Sequence, residues 1–268
     1  MYAKHLLLAL LFSSSSLQAS TTLKPLDANQ CKRDLKGEAK TVCLKALQDD
    51  PEAQLTLGRL YAGQEDPKLT NYRQAFYWHR RLARLADQQQ LMDPVYSETM
   101  YNTGVFYAEG LGTKQNHNKA LFWFTRAANR GDGIAMFRLA VIYSEGIGVA
   151  ANLKTSLDWL NKAVAADNAN AKVLLAQLYS EGKLVKQDNQ IAIKLLREAA
   201  QQNSPNANFA LGNFYLHGLG VDVNLLMAKN LFGTACGLNL LEACKAYYDI
   251  DSQQEDKLLT PDTDIQLN

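Results

Sequence analysis

SETMYNTGVFYAEGLGTKQNHNKALFWFTRAANRGD, Ser97 to Asp132, is the stretch that decides the fold. Its Tyr107 returns as Tyr143, Tyr179 and Tyr215, each step being 36 residues. Gly104, Ala140, Ala176 and Gly212 keep the same interval, as do Ala120, Ser156, Ala192 and Ala228, and also Ala127, Ala163, Ala199 and Ala235. Independent positions locked to one period of this length mark a tandem array, in which each unit is a small supersecondary motif.

The spacing inside a unit says which motif. Thr99, Thr103, Gly104, Phe106 and Tyr107 form an apolar or small stripe at helical spacing, and Ala135, Leu139, Ala140, Ile142 and Tyr143 repeat it. Gly110 and Gly112 follow Tyr107, and glycine takes the left-handed conformation that ends a helix without steric penalty. A second helix, about Asn118 to Asn129, carries Ala120, Trp123, Phe124, Ala127 and Ala128 on its buried side. Two such helices cannot cover their own apolar faces, so successive pairs must stack into one continuous core. The expected fold class is all-α, an alpha-alpha superhelix, with the periodic tyrosines in its core.

The pattern Ala-x-x-x-Leu-Gly-x-x-Tyr-x-x-Gly-x-Gly, then Lys-Ala-x-x-Trp and Ala-Ala-x-x-Gly, resembles the Sel-one-like repeat (SLR), a relative of the tetratricopeptide repeat. Glu98 to Gly131 and Asn206 to Leu238 carry it most fully, whereas Ala171 to Asn203 has Leu184 in place of the second loop glycine and Leu195 in place of tryptophan. The resemblance implies a right-handed solenoid over residues 51–239, with units about 52–97, 98–133, 134–169, 170–205 and 206–239. The first of these keeps LGRLY, Gly63 and Trp78, but about ten extra residues near Gln88 to Ser97 lead to the expectation of a kink or bulge there. Around the solenoid the reading places an N-terminal cap at 20–50, in which Asp34 to Asp50 is a lone second-type helix. A capping helix is expected at 240–250, and a loosely ordered tail at 251–268, which is polar and contains Pro261.

Met1 to about Ala19 reads as a signal peptide: Lys4, an apolar run from Leu6 to Phe12, and Leu17-Gln18-Ala19 at the cleavage point. The run is shorter than the roughly 18 residues that span a bilayer. The expectation is a periplasmic or secreted chain. Of 28 Lys and Arg, Lys4 leaves with the leader, giving 27 − 27 = 0 against 27 Asp and Glu. A neutral chain has no electrostatic hold on phosphate backbones, so nucleic acid is not an expected partner. Cys31, Cys43, Cys236 and Cys244 are an even set with no Cys-x-x-Cys. CGLNLLEAC has the gap seen in cysteine-rich SLR proteins, and that resemblance with sequence proximity favours Cys31 with Cys43 and Cys236 with Cys244. The other two connectivities stay open on the residues alone.

Few residues fall into a catalytic pattern. His79, His117 and His217 fall at variable positions of the frame, and neither His-Glu-x-x-His, Gly-x-Ser-x-Gly nor a phosphate-binding Gly-rich loop occurs. No metal or cofactor is expected. Ser180 and Lys183 spell Ser-x-x-Lys, and resemblance to cysteine-rich SLR proteins implies a β-lactam-binding enzyme as an alternative, but Lys-Thr-Gly is absent. Glu109, Glu145 and Glu181 recur once per unit, more simply as helix ends than as a glycosidase pair.

What remains is a binding surface. In tetratricopeptide-like solenoids the first helices line the concave wall, which implies Glu98, Tyr101, Asn102 and Val105; Phe137, Arg138 and Val141; Val173 and Gln177; and Phe209, Asn213 and His217 as partner-binding residues. Aromatic and Arg anchors among polar groups are the mixture that dominates binding hot spots. The expected function is a non-catalytic protein-interaction module, either an envelope scaffold or an immunity protein that neutralises a delivered toxin. A secreted factor acting on host cells is a further alternative.

Overall fold

The computed structural model describes residues 27–64 and 67–259, with side chains described as far as Ile250; the expected leader lies outside these residues. The cap holds α1 (Ala28–Asp34) and α2 (Gly37–Ala46). Five helix pairs follow: α3 (Pro51–Tyr61) with α4 (Tyr72–Gln88), α5 (Pro94–Glu109) with α6 (His117–Ala128), and α7 (Gly133–Glu145) with α8 (Leu153–Ala165). Then come α9 (Ala169–Glu181) with α10 (Asn189–Ala200), α11 (Pro205–His217) with α12 (Leu225–Gly237), and the closing α13 (Leu241–Leu259). Each helix packs on the next, and α3 also meets α5 as α9 meets α11. In these two places the first helices of neighbouring units stand side by side. Among the described residues there is no strand.

Punctuation repeats as strictly as the core. First helices start on the side-chain caps Asp50, Asp93, Asp132, Asn168 and Ser204. Four of them stop on the left-handed Gly110, Gly146, Gly182 and Gly218. Second helices start on Asn71, Asn116, Asn152, Asp188 and Asn224. Each such cap satisfies an amide that the first turn leaves without an intrahelical partner, a contribution of about 1 kcal/mol. The cap's own amide donates to the carbonyl of the periodic tyrosine: Asn116 to Tyr107 at 2.8 Å, Asn152 to Tyr143 at 2.7 Å, Asp188 to Tyr179 and Asn224 to Tyr215 at 2.9 Å. The tyrosine position thus ties the end of one helix to the start of the next.

The rings of those tyrosines are less uniform than expected. Tyr107 is buried, with Phe76 of the preceding unit edge-on at 5.1 Å, while Tyr143, Tyr179 and Tyr215 are only half-buried. In the place of Phe76 the later units carry Leu121, Leu157 and Ile193, which offer no ring to stand over the tyrosine. The core is instead keyed by a size exchange between the helices of a pair. A Cβ on Gly104 would lie 2.6 Å from the Phe124 ring, and one on Gly212 the same 2.6 Å from Phe232. Where the first helix carries Ala140 or Ala176, the facing position holds the smaller Leu160 or Leu196. In the first unit Gly58 faces His79, with the Nε2 atom 2.8 Å from where a Cβ would be. Glycine accepts a ring and alanine accepts leucine, so the pair keeps its volume as close packing requires.

The ten extra residues of the first unit make no break in the stack. They lengthen α4 to 17 residues and α5 to 16, against 12 and 13 for α6 and α7. The guanidinium of Arg130, just past α6, closes the join: Nε donates to Leu91 O at 2.9 Å and Nη2 to Ala86 O at 3.3 Å, with Asp87 at 3.8 Å and the side chain only 5% exposed. Two further differences concern the ends. The cap is two helices rather than one, α1 being started by the reciprocal bonds of Asp27 and Gln30, and α13 continues past Ile250 to Leu259. Disulfides join Cys31 to Cys43 and Cys236 to Cys244, so a crosslink holds α1 on α2 and another holds α12 on α13. This is the connectivity that proximity favoured.

Candidate functional site

Along the first helices, α5 and α7 bring Glu98, Tyr101 and Arg138 into one polar cluster. Arg59 Nε on α3 donates to Glu98 at 2.7 Å, and Arg138 Nη2 on α7 donates to Glu109 at 3.5 Å, so charges bridge three consecutive first helices. Burial raises the Tyr101 phenol above its ordinary value, Arg138 opposes that rise and Asp132 adds to it. Burial likewise raises the Asp132 carboxyl, although its bond from the Ala135 amide works the other way, and nearby Glu98 adds to the rise. Tyr101 on α5 and Asp132, the cap of α7, are both half-buried.

The other expected wall residues are spread along α5, α7, α9 and α11. The Tyr101 ring lies 5.5 Å from Phe124, and Phe209 lies 5.4 Å from Phe232. Phe137 rests on the second core cluster, as does Val173, and Val105 on the first. All three aromatics are half-buried. Asn102 and Val141 are half-buried as well, Asn213 donates to the Phe209 carbonyl at 3.2 Å, and Gln177 donates to Glu181 at 2.8 Å. Gln177 and His217 are exposed.

Ser180 and Lys183 stand at the end of α9, where the Lys183 ammonium binds Glu181 at 2.7 Å and the Ser180 carbonyl accepts from Gln187. That ion pair, with the bond from Gln177, holds the Glu181 carboxyl below its usual range. Sequence reasoning misplaced His79. It is buried in the row of Phe124 and Phe232, within 3.1 Å of the Thr99 hydroxyl, and burial pushes it from 6.5 down to about 3. One position after the tryptophan, the frame already marked it as a core site. No cluster of three or more His, Cys, Asp or Glu suited to a metal occurs among the described residues, and no described helix is long and apolar enough to cross a membrane.

Two clefts are lined mainly by second helices. One, of about 690 Å³, is lined by Tyr77, Arg80, Arg81 and Arg84 of α4 with Asp49. The other, of about 460 Å³, is lined by Phe122, Thr125 and Arg126 of α6 with Tyr143. The run Arg80-Arg81 and Arg84 was visible in sequence, but its concavity depends on the turn that brings Asp49 alongside.

The Sel1 repeat matches residues 51–87, 97–132, 133–168, 169–204 and 205–240, well over half of the chain. No curated protein matches the chain in sequence. Among solved structures, a Sel1 repeat protein from Oxalobacter formigenes superposes with a TM-score of 0.67 at 24% identity over 80% of this chain and 60% of its own. The protective antigen c5321 of uropathogenic Escherichia coli, which displays an SLR fold, gives 0.54 at 24% identity over 85% of this chain and 52% of its own. The immunity protein PA5088 from Pseudomonas aeruginosa gives 0.51 at 18% identity over 82% and 84%. This chain therefore spans little more than half of the first two relatives' length, and at these identities the likeness is one of fold. Five tandem matches in register with five stacked helix pairs place it plainly: the chain belongs to the Sel1 repeat family.

Proposed function

We propose that this chain is an exported, non-catalytic module that holds a partner protein along its first helices. The observation that carries the reading is the cluster of Glu98, Tyr101 and Arg138. A half-buried aromatic ring lies within electrostatic reach of a guanidinium and on one helix with a carboxylate, both already oriented by ion pairs. Such pre-ordered aromatic and Arg groups lose little conformational freedom on binding. Phe137 and Phe209 extend the same row. Export is read from the leader-like residues 1–19 and agrees with the two crosslinks.

Two roles suit such a module, a scaffold for envelope processes and neutralisation of a toxin delivered to the periplasm. The second is favoured by the shared fold of PA5088, itself an immunity protein and matched over 84% of its length. A toxin-like neighbouring gene would strengthen it. The test is capture from envelope extract with the chain from residue 20 onward, beside a Phe137→Ala and Arg138→Glu double variant. We expect a captured protein to be lost from the variant. Equal capture by both forms overturns the wall as the binding surface, and recovery of the chain only from the cytoplasm overturns export.

A further inference from the structure

The cleft on the second-helix face of the first repeat has properties that stacking does not require. Asp49, Tyr77, Arg80, Arg81, Arg84 and Gln88 line its volume of about 690 Å³. Arg81 is already accounted for: it pairs with Asp49, and its guanidinium lies 5.7 Å from the Trp78 ring. Arg80 lies 5.8 Å from the Phe76 ring and has no carboxylate partner among the described residues; Arg84, one turn on, has none either. Two guanidinium forks thus stand unneutralised four residues apart on one helix, an arrangement of like charges that disfavours the helix itself.

The repeat frame makes the point sharper. Arg84 corresponds to Asn129, Ala165, Gln201 and Gly237, and Arg80 to Thr125, Asn161, Arg197 and Gly233. No other unit carries both, so the fold is built without them. The mature chain has no net charge to spare, which makes this a local excess of cation. Arginine forks match carboxylates two bonds at a time. The volume falls inside the range of about 300–1,000 Å³ typical of ligand sites and exceeds what a lone small anion fills. Tyr77 and Gln88 add a ring and an amide suited to a peptide main chain.

We propose that this cleft binds an acidic segment of a protein partner, with successive carboxylates on Arg80 and Arg84. The inference rests on the reading of the chain as a protein-binding module but concerns a second helix, α4, and not the first helices. Its test is titration of the full mature chain with hexaglutamate at low salt, beside hexaglutamine and inorganic phosphate. Hexaglutamate should bind and hexaglutamine should not. An Arg80→Gln and Arg84→Gln double variant should weaken binding about ten-fold or more, while Arg197→Gln, at the Arg80 position three units on, leaves it unchanged.

Arg84 and Arg197 are exposed and Arg80 is half-buried, and unchanged thermal unfolding of the variants confirms that the fold is kept. Absence of hexaglutamate binding, or equal binding by the double variant, overturns the proposal. So does displacement of the peptide by equimolar phosphate, which would assign the cleft to a small anion. If envelope capture succeeds through the first-helix wall while hexaglutamate fails, this inference alone falls. If hexaglutamate binds and nothing is captured, the wall reading falls instead.

Discussion

The repeats from α3 to α6 and those from α9 to α12 obey one frame but fill it differently. In the early pair the core is ringed: Phe76, Trp78 and Phe124 are all buried, and Phe76 stands edge-on to both Phe106 and Tyr107. The middle helices α4 and α5 are longer, and Arg59 to Glu98, Arg81 to Asp49 and Arg126 to Asp87 tie neighbouring elements together. In the later pair Leu175, Leu195, Leu196 and Leu211 do most of the filling beside the rings of Phe214 and Phe232, the tyrosines stay half-buried, and Leu184, Leu225 and Leu226 are exposed. The regular end shows how little stacking demands: small residues in the seam, one cap per helix and matched volumes. Whatever the early end has beyond that calls for another explanation, and both candidate binding surfaces begin there.

Three experiments press on this comparison. The largest effect is expected from Arg130→Met, which leaves the Leu91 and Ala86 carbonyls without their buried charged donor. Urea unfolding should show a loss of about 2–4 kcal/mol, and a loss below about 0.5 kcal/mol would mean that the lengthened helices need no clasp. Next comes the size exchange. Gly104→Ala should cost about 1–3 kcal/mol against the Phe124 ring, and adding Phe124→Leu should recover most of it by recreating the Ala140 and Leu160 pairing of the next unit. Failure of that rescue would show that the early core is not interchangeable with the later one.

The third experiment concerns pH. His79 is held neutral in the fold, its value lowered from 6.5 to about 3, so the unfolded chain binds a proton that the folded chain refuses. Its contribution is fully present above about pH 6.5 and is lost as pH falls toward 3, amounting to about 2 kcal/mol by pH 5. His79→Phe, the residue of the equivalent Phe124 and Phe232 positions, should flatten stability between pH 6.5 and 5 as followed by thermal unfolding. A slope unchanged by that substitution would move the acid sensitivity to another group.

The architecture was legible because its determinants are local and recur. Tyr107, Gly110 and Ala127 announce helix, stop and helix, and the interval multiplies the signal until the stack follows. His79 shows a partial failure: its place beside Trp78 put it in the row of Phe124, yet as a residue type it read as a polar outlier. Arg130 could not be read, since its acceptors at Ala86 and Leu91 lie about forty residues back and are main-chain atoms without sequence identity. That the expected wall residues fall on first helices was legible from the repeat frame, but the ion pairs of Glu98 and Arg138 join different helices and depend on tertiary contact. The arginine cleft failed for the same reason. The run of charge is plain, and its concavity depends on α4 packing beside the turn that carries Asp49.

The two crosslinks lie at the extremities, Cys31 with Cys43 and Cys236 with Cys244. A linear pile held by nearest neighbours ordinarily peels from its outermost layers, where each has a single companion. Riveting both outermost layers shifts the first opening inward, toward the seam where one apolar cluster gives way to the next around Ala140 and Ile142. That seam includes α7, the bearer of Phe137 and Arg138, so the proposed grip would sit on the segment most able to breathe while both tips stay shut.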